Sequence, residues 1–136
     1  MLFAALTDLF AVLICVFALA KGGLAERVGA GVVLANTLAY IVNETTLHNP
    51  VANLVIDALT AVAFLAIAVR YASFWQGAVM LLYASQFSLH AVYFVLERPR
   101  DMLHVIVNDV IFYAILGCLA AGAALAWRRR RLAART

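Results

Sequence analysis

Between Leu2 and Trp127 the chain is a succession of apolar segments broken only by short polar stretches. The segments run from Leu2 to Ala20, Val28 to Val42, Val51 to Val69, Phe74 to Leu96 and Met102 to Trp127. Each is near the ~20 residues that a helix, rising about 1.5 Å per residue, needs to cross about 30 Å of hydrocarbon. The second is the shortest and is expected to continue through Asn43 and Glu44. Composition agrees, with 67% of residues hydrophobic and 12% charged, where a soluble domain has roughly half and a quarter. The reading is an all-α integral membrane bundle of five transmembrane helices over residues 1–127, followed by a basic tail over 128–136. The connections are too short to hold a soluble domain, so function must reside in the bundle, at its two faces or in the tail.

Turn-forming residues mark the breaks. Lys21-Gly22-Gly23 closes the first segment, Asn49-Pro50 opens the third, and Arg98-Pro99-Arg100-Asp101 separates the fourth from the fifth. Ala18-Leu19-Ala20 resembles a signal-peptide cleavage site, but no Lys or Arg precedes the first apolar run and Asp8 lies within it, so it is read as a true span. Small residues, Ala58, Ala61 and Ala68 on one segment and Gly117, Ala121, Gly122 and Ala126 on another, favour close helix contact within a chain or between chains.

Charge fixes the expected orientation. Of the ten Lys and Arg residues, Lys21, Arg27, Arg70, Arg128 to Arg131 and Arg135 fall on one side of five spans, and only Arg98 and Arg100 on the other. The positive-inside rule then puts the carboxyl terminus in the cytoplasm and the amino terminus outside. Tyr71, Phe74, Trp75 and Trp127 are expected to form an aromatic belt at the inner interface. The arginine cluster reads as a topology anchor that touches anionic headgroups rather than a nucleic-acid site.

Within the fourth segment, Tyr83, Gln86, His90, Tyr93 and Glu97 recur at helical spacing and form one inward-facing stripe. Counted from the outer surface, Asp8, Asn36, Asp57, His90 and Asp109 lie roughly 9 to 12 Å deep, one from each segment. Gln86 and Asn108 fall near that level, and Asn43, Glu44, Asn53, Glu97 and His104 form a shallower tier. The cytoplasmic halves read as almost wholly Ala, Leu, Val and Ile. An ionised carboxylate within a span costs about 2.5 to 3.5 kcal/mol even on lenient scales, so such groups face a bundle interior or a wet cavity. The candidate site is therefore Asp8, Asn36, Asp57, Gln86, His90, His104, Asn108 and Asp109.

Three chemistries compete for it. Asp and His at one level suit a proton or a metal cation, although no HxxxH or HxxE spacing concentrates ligands. His90 and His104 flank the connection between two antiparallel segments and could serve as axial haem ligands in an electron-transfer subunit. The same groups could equally be hydrogen-bonded staples in a non-catalytic accessory or assembly subunit. An enzyme is less expected, because only Ser85 and Ser88 lie near His90, and Ser88 sits on another face. Cys15 and Cys118 read as packing residues and His48 as a loop residue, while Asn43-Glu44-Thr45 forms a glycosylation sequon poorly placed for use.

The loop Lys21-Gly22-Gly23-Leu24-Ala25-Glu26-Arg27, with a single histidine in the fourth helix, resembles small uncharacterised multi-span bacterial inner-membrane proteins. That resemblance implies a bacterial plasma membrane and brings no activity with it. The expectation is a multi-pass protein with an outward-opening, acid-rich cavity that binds or conducts a small cation or proton, working as a homo-oligomer or with partner membrane subunits.

Overall fold

A computed structural model gives the architecture over residues 2–99 and 101–135; Arg100 and the side chains of residues 2–5 and Asp8 lie outside the described residues. All regular structure among the described residues is helical: α1 (Leu2–Lys21), α2 (Leu24–Val42), α3 (Pro50–Tyr71), α4 (Phe74–Val95) and α5 (Met102–Ala133). A π-helical turn, Asn43–Leu47, prolongs α2. Among the described residues four helices are long and apolar enough to cross a membrane: Leu24–Leu47, Pro50–Tyr71, Phe74–Val95 and Met102–Ala133. Within α1 the fully described residues form the apolar stretch Leu9–Lys21.

The ends of the helices follow local chemistry. The Asn49 side chain accepts the Val51 N–H at 2.9 Å, with Pro50 in the first turn, where its missing N–H costs nothing. Asp101 caps α5 by accepting the His104 N–H at 2.9 Å. α3 stops at Ala72, which adopts the left-handed conformation (φ 48°) usual at a helix end but costly for a residue with a Cβ. Two boundaries differ from the sequence reading. α2 begins at Leu24 instead of Val28, because Glu26 sits in the first turn, where the helix dipole favours an acid. α5 runs on to Ala133, so Arg128 to Arg131 continue the helix.

The helices close into a ring. α1 packs on α2 and α5, α3 lies between α2 and α4, α4 meets α5, and α2 also touches α5 across the centre. α1 and α5 run parallel, since Thr7 meets Tyr113, Phe17 meets Trp127 edge-on, and Arg130 donates to the Lys21 carbonyl. Lys21, Arg27, Arg70 and the arginine cluster thereby gather at one end, and the connections bearing His48 and Arg98 at the other.

Burial is inverted relative to a soluble domain. Leu13, Leu38, Val62, Val69 and Val95 are exposed on the outside, while Asn36, Asn53, Asp57, Gln76, Gln86 and His90 are buried. Between them the core holds Cys15, Val33, Phe64, Val79, Tyr83 and Leu119, with Phe64 and Tyr83 stacked at 5.6 Å.

At the basic end the expected aromatic belt is only partly external. Phe74 is 94% exposed, but Trp75 turns inward, donates to Glu26 Oε1 at 3.3 Å and lies over Gly122. Gly122 is needed there, because a Cβ would stand 2.6 Å from the Trp75 ring. Gln76 follows it into the core, fully buried, and donates to the Ala25 carbonyl at 2.7 Å. Gln76 is thus a polar exception in a half that the sequence shows as almost wholly aliphatic: the backbone and carboxylate at the start of α2 need polar partners from α4.

Candidate functional site

The α4 stripe forms as its spacing predicts, except at its end. Tyr83, Gln86, His90 and Tyr93 are all buried on one face. Glu97 lies past the last helical residue at φ 49° and is exposed, because the chain must turn toward Pro99.

His90 faces α3. Its Nδ1 lies 2.6 Å from Oδ2 of Asp57, a carboxylate with no solvent exposure. With Asp57 ionised, Nδ1 carries the shared proton and donates it, so Nε2 is the atom left to gain or lose a proton. Neither Nε2 nor Asp57 Oδ1 meets a protein partner. A buried ion pair of this kind demands satisfaction of every remaining lone pair, and these two atoms stand without it.

A second set of contacts fixes the histidine from α5. The His104 ring packs on His90 with centroids 5.2 Å apart and planes 30° apart, and Tyr93 meets His104 edge-on at 4.6 Å. The Tyr93 hydroxyl donates to Asp101 Oδ1 at 2.7 Å. The His104 N–H, with the Tyr93 hydroxyl, holds the Asp101 carboxyl below its ordinary value of 3.8.

The polar groups expected at one level divide between two cavities. One, of about 340 Å³, opens at the loop end between α3, α4 and α5 and is lined by Asn53, His90, Tyr93, Glu97, Arg98 and His104. The other, of about 280 Å³, lies among α1, α2, α4 and α5 and holds Asn36, Gln86, Asn108 and Asp109. Asp57 lines neither and is buried behind His90. Asp8 lies outside the described residues. Depth alone did not reveal this division, because it depends on how each helix is rotated.

Several groups are paired among themselves. Asn36 donates to Thr60 Oγ1 at 3.0 Å, Asn43 to Asn53 Oδ1 at 2.6 Å, and Gln86 to Asn108 Oδ1 at 3.0 Å. Asn43 also brackets Asn49, accepting its N–H at 3.2 Å and donating to its carbonyl at 2.9 Å, so the sequon asparagine is a structural brace. Thr60 falls on the inward stripe that the spacing Asn53, Asp57 and Thr60 predicts for α3, whereas the sequence reading missed Thr37 and Gln76, each an isolated polar residue in an apolar run without periodic signal.

Among the described residues neither a metal centre nor a bis-histidine haem site is assembled. Among the described residues no three His, Cys, Asp or Glu side chains converge on one point. Axial histidines must point at one iron from opposite faces of a macrocycle, whereas the His90 and His104 rings lie against each other with centroids 5.2 Å apart. Comparison with protein-family models, with curated proteins and with solved structures gives no match for this chain.

Proposed function

We propose that this is a multi-pass membrane protein that takes up or passes a proton or small monovalent cation, with Asp57 and His90 as the central pair. The observation that carries the reading is the 2.6 Å contact between two buried ionisable groups, one of which lines a cavity open at the loop end. Ionisable residues inside a span are expensive and occur mainly on ion or proton pathways. A histidine that keeps one nitrogen free while a carboxylate holds the other has the two distinct ring atoms that a proton relay uses. The proposed orientation has the basic end in the cytoplasm, so the His90 cavity faces outward. The resemblance of the first loop favours a bacterial plasma membrane, with the arginine cluster against anionic lipid and with like or unlike membrane subunits as partners.

The test is purified protein in liposomes with an imposed gradient of pH, Na⁺ or K⁺. Wild-type protein is expected to dissipate one of these gradients faster than empty liposomes, and Asp57→Asn and His90→Gln to return the rate to background. Equal rates for wild type, variants and empty liposomes overturn the reading. In that event the favoured alternative is an accessory subunit, supported by the mutual pairing of Asn36 with Thr60, Asn43 with Asn53 and Gln86 with Asn108.

A further inference from the structure

On α4 the residues Gln76, Tyr83 and His90 stand seven apart, so two helical turns, or about 10 Å, separate each from the next and all three share one face. All three are buried, and each keeps one polar atom without a protein partner: Gln76 Oε1, the Tyr83 hydroxyl and His90 Nε2. Together they cover about 20 Å of the roughly 30 Å of hydrocarbon. Packing alone does not account for Tyr83. Its ring stacks on Phe64, and a phenylalanine in its place would fill the same space without stranding a hydroxyl. That hydroxyl lies within electrostatic reach of the Asp57 carboxylate, whose Oδ1 is also without a partner.

The column is packed along its length. His90 lines the loop-end cavity, but Asp57, Tyr83, Phe64 and Gln76 line neither that cavity nor the other. Phe64 fills the interval between Tyr83 and Gln76, since a Cβ at Gly29 would lie 3.3 Å from the Phe64 ring and 3.7 Å from Gln76 Nε2. Beyond Gln76 the column reaches the basic end, where the Trp75 indole donates to Glu26, the only acid there among the described residues. A Na⁺ or K⁺ needs a continuous opening and a shell of oxygens, and this packed face offers neither. A proton needs only groups that accept on one side as they donate on the other, and imidazole, carboxylate and hydroxyl all do so.

We infer that the pathway of Asp57 and His90 carries protons and not metal cations, with Tyr83 the relay beyond Asp57 and Phe64 the plug between Tyr83 and Gln76. This rests on the proton-or-cation reading of the buried pair and narrows it. A proton taken up by His90 at the loop-end cavity passes through Asp57 to the Tyr83 hydroxyl. Each group releases one proton as it takes one, so none ends in a changed state. Movement of the Phe64 ring then joins Tyr83 to Gln76 and to Glu26 at the basic end.

The test uses the full chain in liposomes, with proton entry read by an enclosed pH dye and Na⁺ entry by an enclosed Na⁺ dye. Wild-type protein is expected to pass protons and to leave the Na⁺ rate at that of empty liposomes. A positioned group contributes about 10²-fold or more to a proton transfer, and water in place of the hydroxyl recovers part of it, so Tyr83→Phe should slow proton entry by about tenfold. The same variant should melt no lower than wild type, because its lost hydroxyl had no partner. Phe64→Ala should speed proton entry severalfold; should it fail to fold, Phe64→Leu serves in its place. Proton entry that neither Tyr83→Phe nor the Phe64 variants change, yet that Asp57→Asn abolishes, overturns the inference and leaves the reading of the buried pair in place. Na⁺ entry that Asp57→Asn abolishes overturns the proton selectivity and likewise leaves that reading. Wild-type rates equal to those of empty liposomes for both ions overturn the two together.

Discussion

At the scale of residues, Asp57 is the most consequential side chain, because its burial leaves it one strong partner and one empty oxygen. Removing it strands His90, whereas shortening the change to an amide preserves a hydrogen-bonding oxygen. Asp57→Ala is expected to destabilise the bundle by about 1–3 kcal/mol and Asp57→Asn by clearly less, measured by unfolding in mixed micelles. Equal losses mean that charge, not hydrogen bonding, holds the pair. His90 was legible in the sequence because a 3.6-residue period places it on the polar stripe of α4. Its partner was not: Asp8, Asp57 and Asp109 lie at similar depths, and only the rotation of α3 selects Asp57. The free oxygen of Gln86 was likewise invisible, since it depends on which end of the amide Asn108 engages.

At the scale of elements, what distinguishes one glycine from another is what stands opposite. Gly122 of α5 lies against the Trp75 ring, where a Cβ would approach to 2.6 Å, while Gly117 five residues earlier has nothing within 4 Å. A rigid indole cannot withdraw as a flexible chain end can. Gly122→Ala should therefore cost about 1–3 kcal/mol, and Gly117→Ala should be neutral or stabilise by up to about 1 kcal/mol through helix propensity. The end of α3 offers the converse: Ala72→Gly removes the left-handed strain at φ 48° and should stabilise by about 0.5–1 kcal/mol in the same unfolding measurement. The cap of α5 carries a pH dependence. Asp101 is held below 3.8 by the His104 N–H and the Tyr93 hydroxyl. Its ionised form thus favours the fold above about pH 4, and that contribution fades as pH falls through the lowered value. Melting curves from pH 7 to pH 3 should show a shallower acid decline for Asp101→Asn than for wild type. These caps were readable from Asn49-Pro50 and Arg98-Pro99-Arg100-Asp101. The prolongation of α2 through a π-helical turn was readable only in part, because it rests on Asn43 bracketing Asn49 across space.

At the scale of the whole molecule, the number of helices and most of their limits were legible because span length and turn residues are local properties, the start of α2 and the end of α5 excepted. The ring order and the two cavities were not, because they depend on which faces of α2, α4 and α5 meet. The arrangement gathers the cations on which the proposed orientation rests. α1 and α5 run parallel, and Lys21, Trp127, Arg130 and Arg131 meet at one end, with Lys21 and Arg131 both over the Trp127 ring. Cations stacked on an interfacial indole beside an arginine run suit a surface of anionic headgroups. The opposite end has His48, Glu97 and Arg98 and no comparable cluster among the described residues. If the basic end is cytoplasmic, single cysteines placed at exposed positions of the two ends must differ in reach from outside. In a background with Cys15 and Cys118 replaced by serine, a membrane-impermeant maleimide should label Thr46→Cys in intact cells and Arg135→Cys only after the membrane is opened. The reverse pattern puts the His90 cavity on the cytoplasmic side and reverses the direction from which a proton or cation would reach Asp57. Labelling of both in intact cells means that the two ends do not lie on opposite sides, which α5, at 32 residues and about 48 Å, makes physically untenable for an inserted bundle.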